Sequence, residues 1–418
     1  EFEKQPGRFP MITRDGEKRR RAKGGQICLT DERNIKTAIE SAIKFFNDHP
    51  GFITCPMFMQ DSAGFCECPE CIEANEGVSP RGDPNRVTWK FMKTVGAAVR
   101  ENKPGKNVVF YSNYIWMTAP PDDIRNVKGV VAMTCHVLNN ATDITDPEDP
   151  WNVQYYESMI QAGATGAEMA CYDYSTLQGS PQTMALLNSV KTYHHEGYVW
   201  YHLENMQRDE HHKIIDWAIA QLAWNAEREP EALLKIFCEG YYGAAGEHVL
   251  RLLHAIDNRC RAQRKIILGG PLTTWLIMSD ELIAEGRATL KSARAKVSGK
   301  QLARLERLSD TFEFYCREAP AIDAYYRALD ARTEEARAKA IAAIDAALEF
   351  WDENDLALTC SPSIRGAIAR LRGKLQKTRM APPEPQAAAN LQEVDRKNLI
   401  RQLFSYRDVP DELPHLFF

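Results

Sequence analysis

No stretch of this 418-residue chain is apolar over the roughly 20 residues that a helical bilayer crossing takes, which excludes a membrane span of that kind. A marked excess of either charge is also missing. The 52 Lys and Arg stand against 57 Asp and Glu, so nothing draws the chain broadly to nucleic acid. One basic cluster, Lys18-Arg19-Arg20-Arg21, follows Asp15 and Glu17 and reads as a solvated loop. The sequence opens at Glu1 with no charged, apolar and small-residue leader, and a fragment or a processed chain is the expectation. No repeat of fixed period runs through it, and no histidine–carboxylate spacing of a catalytic metal centre is visible. Cysteine is odd in number, at eleven, and only Cys66, Cys68 and Cys71 are close together, so a disulfide scaffold does not fit a chain of this size.

What is present is apolar content of 44%, enough for a sizeable core, arranged in two regimes. From Gln26 to about residue 240, short β-like runs alternate with helical ones. The runs Ile27 to Leu29, Phe52 to Met59, Val108 to Tyr114, Val130 to His136, Ala167 to Tyr174 and Tyr198 to Glu204 predict strands. Between them, Ile35, Ala38, Ile39, Ala42, Ile43 and Phe46 mark one helical face, and Val87, Phe91, Val95, Ala98 and Val99 another. A further helix is expected from Ser180 and Pro181, and one more after Asp209. Strand, helix, strand in this rhythm predicts a parallel sheet.

Six strands fall short of a closed eight-stranded barrel, so either the sheet is open or the chain is a fragment. The expected fold class is α/β: a (β/α) TIM-barrel-like domain over residues 1–240, lacking its first strands. An α-helical bundle over 241–380 follows, with helical periodicity from Thr273 to Lys377. Ala381-Pro382-Pro383-Glu384-Pro385 then opens a linker and tail, 381–418, that is expected to dock through Leu399, Leu403 and Phe404.

Loops at the C-terminal ends of barrel strands carry chemistry while the strands hold them rigid. Several of the expected strands end in acids and rings. Asp61 follows the second; Tyr111, Asn113 and, just beyond, Trp116 close the third; His136 ends the fourth. Tyr172, Asp173 and Tyr174 close the fifth, and Trp200, His202, Glu204 and Asn205 the sixth. A sugar presents an apolar ring face and a rim of hydroxyls, so aromatic plates with carboxylates and amides between them complement it. Hydrolysis of a glycosidic bond needs a proton donor for the leaving oxygen and a second group for the cation-like transition state. Each acid has a plainer reading. Asp61, before Ser62-Ala63-Gly64, suits a turn cap, and Asp173 between tyrosines suits a hydrogen-bond anchor of the rim. Glu204 closes a run of bulky apolar residues, where an acid without a task would be costly. Glu168, nearer its strand's start, reads as stabilising, and the pairs His194-His195 and His211-His212 read as solvated helix faces.

The loop Cys66-Glu67-Cys68-Pro69-Glu70-Cys71 can place three thiolates around zinc, whereas a closed structural site takes four ligands. No fourth is apparent in the sequence, and Cys55 lies too far down an extended strand. A disulfide with one free thiol, or reduced cysteines packing the loop, are the alternatives.

Gly7-Arg8-Phe9, Asp15-Gly16, Gln26-Ile27-Cys28-Leu29, Asp61 and the cysteine loop together resemble the bacterial domain of unknown function 4838. Tyr172-Asp173-Tyr174, the strand ending at Glu204, Leu222-Ala223-Trp224-Asn225 and Phe237 with Tyr241-Tyr242-Gly243-Ala244-Ala245 extend the resemblance over about residues 5 to 250. It implies a glycoside-hydrolase-like barrel, usually exported to the periplasm or beyond the cell, and related to glycoside hydrolase family 163, whose members include endo-β-N-acetylglucosaminidases. It also implies that barrel strands precede the segment seen here.

The function expected is hydrolysis of a glycan, with Glu204 as general acid/base and Asp61 or Asp173 as partner; a glycan containing N-acetylglucosamine is what the resemblance implies. No cofactor is required for that chemistry, and zinc at Cys66, Cys68 and Cys71 would be structural. A non-catalytic carbohydrate-binding or assembly protein on the same barrel is the alternative, and a metal-dependent hydrolase using the cysteine loop a third reading.

Overall fold

The computed structural model of the protein describes residues 2–14, 16–23, 25–59, 64–113, 119–135, 142–174, 183–204, 210–263, 277–356 and 362–378. The expected N-cap at Ser180 and Pro181 and the tail with Leu399, Leu403 and Phe404 lie outside them. No helix among the described residues is long and apolar enough to cross a membrane.

The basic cluster expected as a solvated loop belongs largely to a strand. β1 (Met11–Arg14) and β2 (Glu17–Arg20) form an antiparallel hairpin in which Arg14 faces Glu17. Just before β2, Gly16 has φ 77°, the left-handed backbone that tight hairpins demand. Low β-propensity in Glu17-Lys18-Arg19-Arg20 conceals this strand from a hydrophobic pattern. Ile27 to Leu29 errs in the other direction: Ile27 and Cys28 lie outside any strand, and Leu29 begins a turn. The Cys28 N–H bonds Arg8 O at 3.1 Å, and that of Gln26 bonds Gly64 O at 2.9 Å.

Five strands follow side by side in chain order: β3 (Thr54–Pro56), β4 (Asn107–Asn113), β5 (Val130–Cys135), β6 (Glu168–Tyr174) and β7 (Trp200–Glu204). The pairings of β3 with β4, β4 with β5 and β5 with β6 are parallel. Consecutive order combined with right-handed crossovers sends every connecting helix to the same face, as in a (β/α) barrel; a doubly wound sheet reverses its order midway. The result is a half-barrel. β3 is shorter than the apolar run over 52–59 because Pro56 has no N–H to give, although the Met57 N–H still reaches Val109 O at 2.8 Å.

The helix-covered face is built by alternation. Val108 and Phe110 on β4, Val130 and Ala132 on β5, and Met169 on β6 pack with side chains of α1 (Glu32–Asp48) and α3 (Asn85–Asn102), including Ala42, Phe46, Trp89, Met92 and Val99. α1 starts where the Asp31 side chain accepts the Arg33 N–H at 3.0 Å. α3 comes close to the start of β5 through two glycines. A Cβ on Gly129 would sit 2.1 Å from Gly96 O, and Gly129 has φ 69°. Below the start of β6, Glu168 pairs with Arg100 at 3.5 Å, in keeping with a stabilising role.

Contacts divide the chain into two compact units: Glu1–Val137, Ile144–Asp173 and Thr192–Leu203 in one, and Leu138–Asp143, Tyr174–Lys191 and Glu204–Phe418 in the other. The units interleave along the chain, whereas the sequence reading sets one boundary near residue 240. The second unit is helical: α6 (Glu210–Trp224), α7 (Pro230–Tyr242), α8 (Gly246–Gln263), α9 (Asp280–Arg294), α10 (Gly299–Ala331), α11 (Glu334–Glu353) and α12 (Pro362–Lys377). α10 lies against α11 and α12 through Ile322, Tyr325, Ile344 and Leu371. His211 and His212, expected on a solvated face, are buried, because α6 packs against both α7 and α10. Glu210 is fully buried too, its charge offset by Arg307 at 2.7 Å and Lys213 at 2.8 Å.

Gly129→Ala combines a left-handed backbone with overpacking, so we expect a loss of about 2–4 kcal/mol of stability, read by urea unfolding. A loss below about 1 kcal/mol would contradict the close approach of α3 to β5.

Candidate functional site

Alternation also decides what the other face of the half-barrel offers. Val109, Val131, Met133 and Ala170 form a small buried layer there, with Tyr111, Tyr172 and Trp200 packed on it. Above that layer the rings meet in succession. Phe58, 46% exposed two residues past β3, stacks on Tyr111 at 4.6 Å between centroids, and Tyr111 meets Tyr172 edge-on at 5.5 Å. Tyr172 then stacks on His202 at 4.6 Å. These are favourable aromatic geometries, and they run from β3 to β7 across the sheet. The β4–β5 register shifts between Tyr111 and Asn113, a bulge-like irregularity of the kind that re-aims side chains beside functional sites.

Four of the residues singled out in the sequence therefore share one face: Tyr111, Tyr172, Trp200 and His202. Glu204 is the last residue of β7, two places beyond His202, and follows the alternation of Trp200 and His202. Asn113 and Tyr174 close β4 and β6 by their backbones. Asp61, Trp116, His136 and Asn205 lie outside the described residues. Phe58 was not singled out in the sequence reading; its signal was its place near the end of an apolar run, three residues before Asp61.

Asp173 is placed differently. Adjacent residues of a strand point to opposite faces, so Tyr172 on the ring-lined side sends Asp173 to the helix side. There it is fully buried and accepts a hydrogen bond from the Tyr201 hydroxyl at 3.2 Å. Cys171, Tyr155 and Tyr193 form the buried cluster on that side, with Tyr201 packed against it. Tyr155 donates to Thr134 Oγ1 at 3.1 Å and lies 3.2 Å from the Tyr193 hydroxyl. Burial pushes the Tyr201 hydroxyl well above the usual phenol range, and the Asp173 charge adds to it, so Tyr201 stays a donor. The structure thus does not bring Asp173 together with the rings; it holds the carboxylate as an anchor behind them.

The cysteine loop gains a partner that sequence spacing did not offer. Cys28, Cys66, Cys68 and Cys71 are all buried, and their sulfurs lie within 4.8 Å of one another. Cys68 and Cys71 share a face because Pro69 starts the short helix α2 (Pro69–Ala74), which sets them one turn apart. Cys28 arrives from the extended chain after the hairpin. In the sequence it is flanked by Ile27 and Leu29, far from the cysteine loop. No disulfide joins these four; the Cys28 sulfur is 3.7 Å from both Cys68 and Cys71. Hydrogen bonds from Cys66, Cys68 and Cys71 hold the Cys28 thiol far below its ordinary pKa, while the same pairing pushes Cys68 and Cys71 up. Such a cluster can hold a metal ion.

The family of the domain of unknown function 4838 matches residues 1–254. The chain belongs to that family. No match was found among curated proteins. Among solved structures, a GH138 enzyme targeting pectin rhamnogalacturonan II aligns at a TM-score of 0.37 and 12% identity, over 78% of this chain and 53% of that one. The chain thus spans about half the length of that enzyme, and a likeness this distant carries no argument about chemistry.

Tyr201→Phe removes one donor from a buried carboxylate, and we expect it to cost about 1–3 kcal/mol in urea unfolding. An unchanged midpoint would mean that the Tyr201–Asp173 contact does not anchor the strand end.

Proposed function

We propose that this protein binds a glycan along the rings Phe58, Tyr111, Tyr172 and His202 and hydrolyses a glycosidic bond, with Glu204 as general acid/base. The observation that carries this reading is the unbroken succession of rings leading along the sheet to the strand that Glu204 closes. Stacked plates cover the apolar face of a sugar and leave its hydroxyl rim to polar groups. In its protonated form Glu204 gives its proton to the leaving glycosidic oxygen as the bond to the anomeric carbon breaks. The positive charge that develops is met by the carboxylate of Asp61. If the sugar carries an N-acetyl group, as the family resemblance implies, the acetamide oxygen attacks the anomeric carbon and Asp61 orients it. Water, deprotonated by Glu204, then opens the intermediate and restores the acid.

Asp173 enters this proposal as a positioning residue. Zinc enters as structural, since a centre closed by four thiolates keeps no open position for a substrate. We retain the exported location that the resemblance implies; none of the ten described cysteines forms a disulfide, so the fold would face an oxidising compartment with its thiols buried or metal-bound. The second reading, a carbohydrate-binding protein without turnover, is favoured by one observation: of the three acids expected at the site, Asp173 faces away.

Release of reducing sugar from a panel of glycans tests the proposal. Glu204→Gln should lower turnover by about 10²–10⁴-fold with binding retained. Turnover unchanged by that substitution would remove the assignment, and binding without turnover in the parent protein would select the second reading. In calorimetry, Trp200→Ala and Tyr172→Ala should each weaken glycan binding by roughly 1 kcal/mol or more while the thermal midpoint still shows a folded protein. Binding left intact would place the sugar elsewhere.

A further inference from the structure

We propose that Cys28, Cys66, Cys68 and Cys71 are the four ligands of one zinc ion, and that this ion fastens the N-terminal segment, residues 7–29, to the chain that leaves β3. The inference builds on the structural zinc named above and does not depend on the hydrolase reading. A tetrahedral ion about 2.3 Å from each sulfur sets sulfur–sulfur edges of about 3.8 Å. The two Cys28 separations, both 3.7 Å, match that edge without any movement. Four soft thiolates with no carboxylate or imidazole among them select zinc over magnesium or calcium.

The surroundings fit an anionic centre. As each zinc–sulfur bond forms, the proton of that thiol passes to solvent, leaving roughly two net negative charges on the complete site. The Met11 N–H points at the Cys66 sulfur at 3.3 Å, and the Thr30 hydroxyl lies 3.2 Å from that of Cys71. Arg20 holds the carbonyls of Gly7 and Phe9, at 2.8 and 2.6 Å, and its charge is stabilised by the neighbouring sulfurs against the effect of burial. Such outer contacts orient metal ligands and balance their charge.

The same bonds show what the ion would fasten. Cys28 belongs to the segment that carries the hairpin; the other three ligands follow residue 64. Between them run Glu67 N–H to Met11 O at 2.7 Å, Thr13 N–H to the Glu67 carboxylate at 2.8 Å, and Gln26 N–H to Gly64 O at 2.9 Å. β2 is polar and largely exposed, so the hairpin's apolar burial rests on Met11 and Ile12 of β1. A metal cross-link closing the long loop between Cys28 and Cys66 supplies what that packing lacks.

The test uses the full chain. Metal analysis should return about one zinc per chain, and a chelator should free four thiols for alkylation under native conditions, mapped by mass spectrometry to positions 28, 66, 68 and 71. Trypsin cleavage after Lys18 to Lys23 should rise at least about tenfold once the metal is removed. Cobalt substitution should give the intense visible bands of a tetrahedral thiolate centre, with sulfur-to-cobalt absorption falling by about one quarter in Cys28→Ser, one thiolate of four. Cys55→Ser should change none of these. A folded protein that takes up no zinc or cobalt, a disulfide within the cluster, or Cys28→Ser binding metal like the parent would overturn the proposal. Unchanged trypsin cleavage would overturn the fastening role. If Cys28→Ser does not fold, alkylation mapping of the parent decides. None of these readouts needs turnover, so an inactive protein that keeps its zinc fails the hydrolase reading alone.

Discussion

The period of two along five parallel strands governs this structure. Val108, Phe110, Val130 and Ala132 of β4 and β5 pack against helices, while Val109, Val131 and Met133 form a layer on the opposite face. One face is consequently a conventional core of aliphatic groups and Trp89, closed tightly enough that two glycines must meet across it. The other carries a small apolar layer with Tyr111, Tyr172 and Trp200 packed on it. Rings held on a rigid sheet are what a weakly hydrophobic, hydroxyl-rich ligand can exploit, and the helices behind them supply the rigidity.

The helix side contributes to the ring side through polar contacts as well. Asp173, Tyr201, Tyr155, Tyr193 and Thr134 form buried hydrogen bonds directly behind the residues that bear Tyr172 and His202. A carboxylate and several hydroxyls in a low-dielectric layer are costly unless paired, so their pairing restricts the strand ends to few arrangements. Near the β3 edge of the sheet, hydrogen bonds between Met11, Thr13 and Gln26 on one side and Glu67 and Gly64 on the other hold the N-terminal segment in place.

Much of the architecture was legible in the sequence. The β4, β5 and β6 runs were visible because their lower stretches are buried on both faces and so continuously apolar, and α1 and α3 because their apolar residues recur at helical spacing. The hairpin was missed for want of any hydrophobic alternation in Glu17 to Arg20, although Asp15-Gly16 was a turn signal in plain view. Ile27 to Leu29 had strand composition, yet its backbone bonds are made to Arg8 and Gly64 rather than to a ladder, which no local pattern announces. In the site, Tyr172 and Asp173 were both assigned to one cleft; two neighbours on a strand cannot both face it, and parity alone would have separated them. Trp200, His202 and Glu204, spaced by two, passed that same criterion. Cys28 stayed hidden because 37 residues of chain separate it from Cys66, and only tertiary structure brings the two together.

The irregular register of β4 beside Tyr111 has an evolutionary corollary. An extra residue in one strand reverses, for everything downstream, which positions look toward the interior of the half-barrel. A single-residue insertion or deletion at Ser112 would therefore swap the chemical groups that this strand displays at its tip while leaving the buried ladder below untouched. Relatives differing there in length by one would present distinct surfaces to their ligands from otherwise similar sequences.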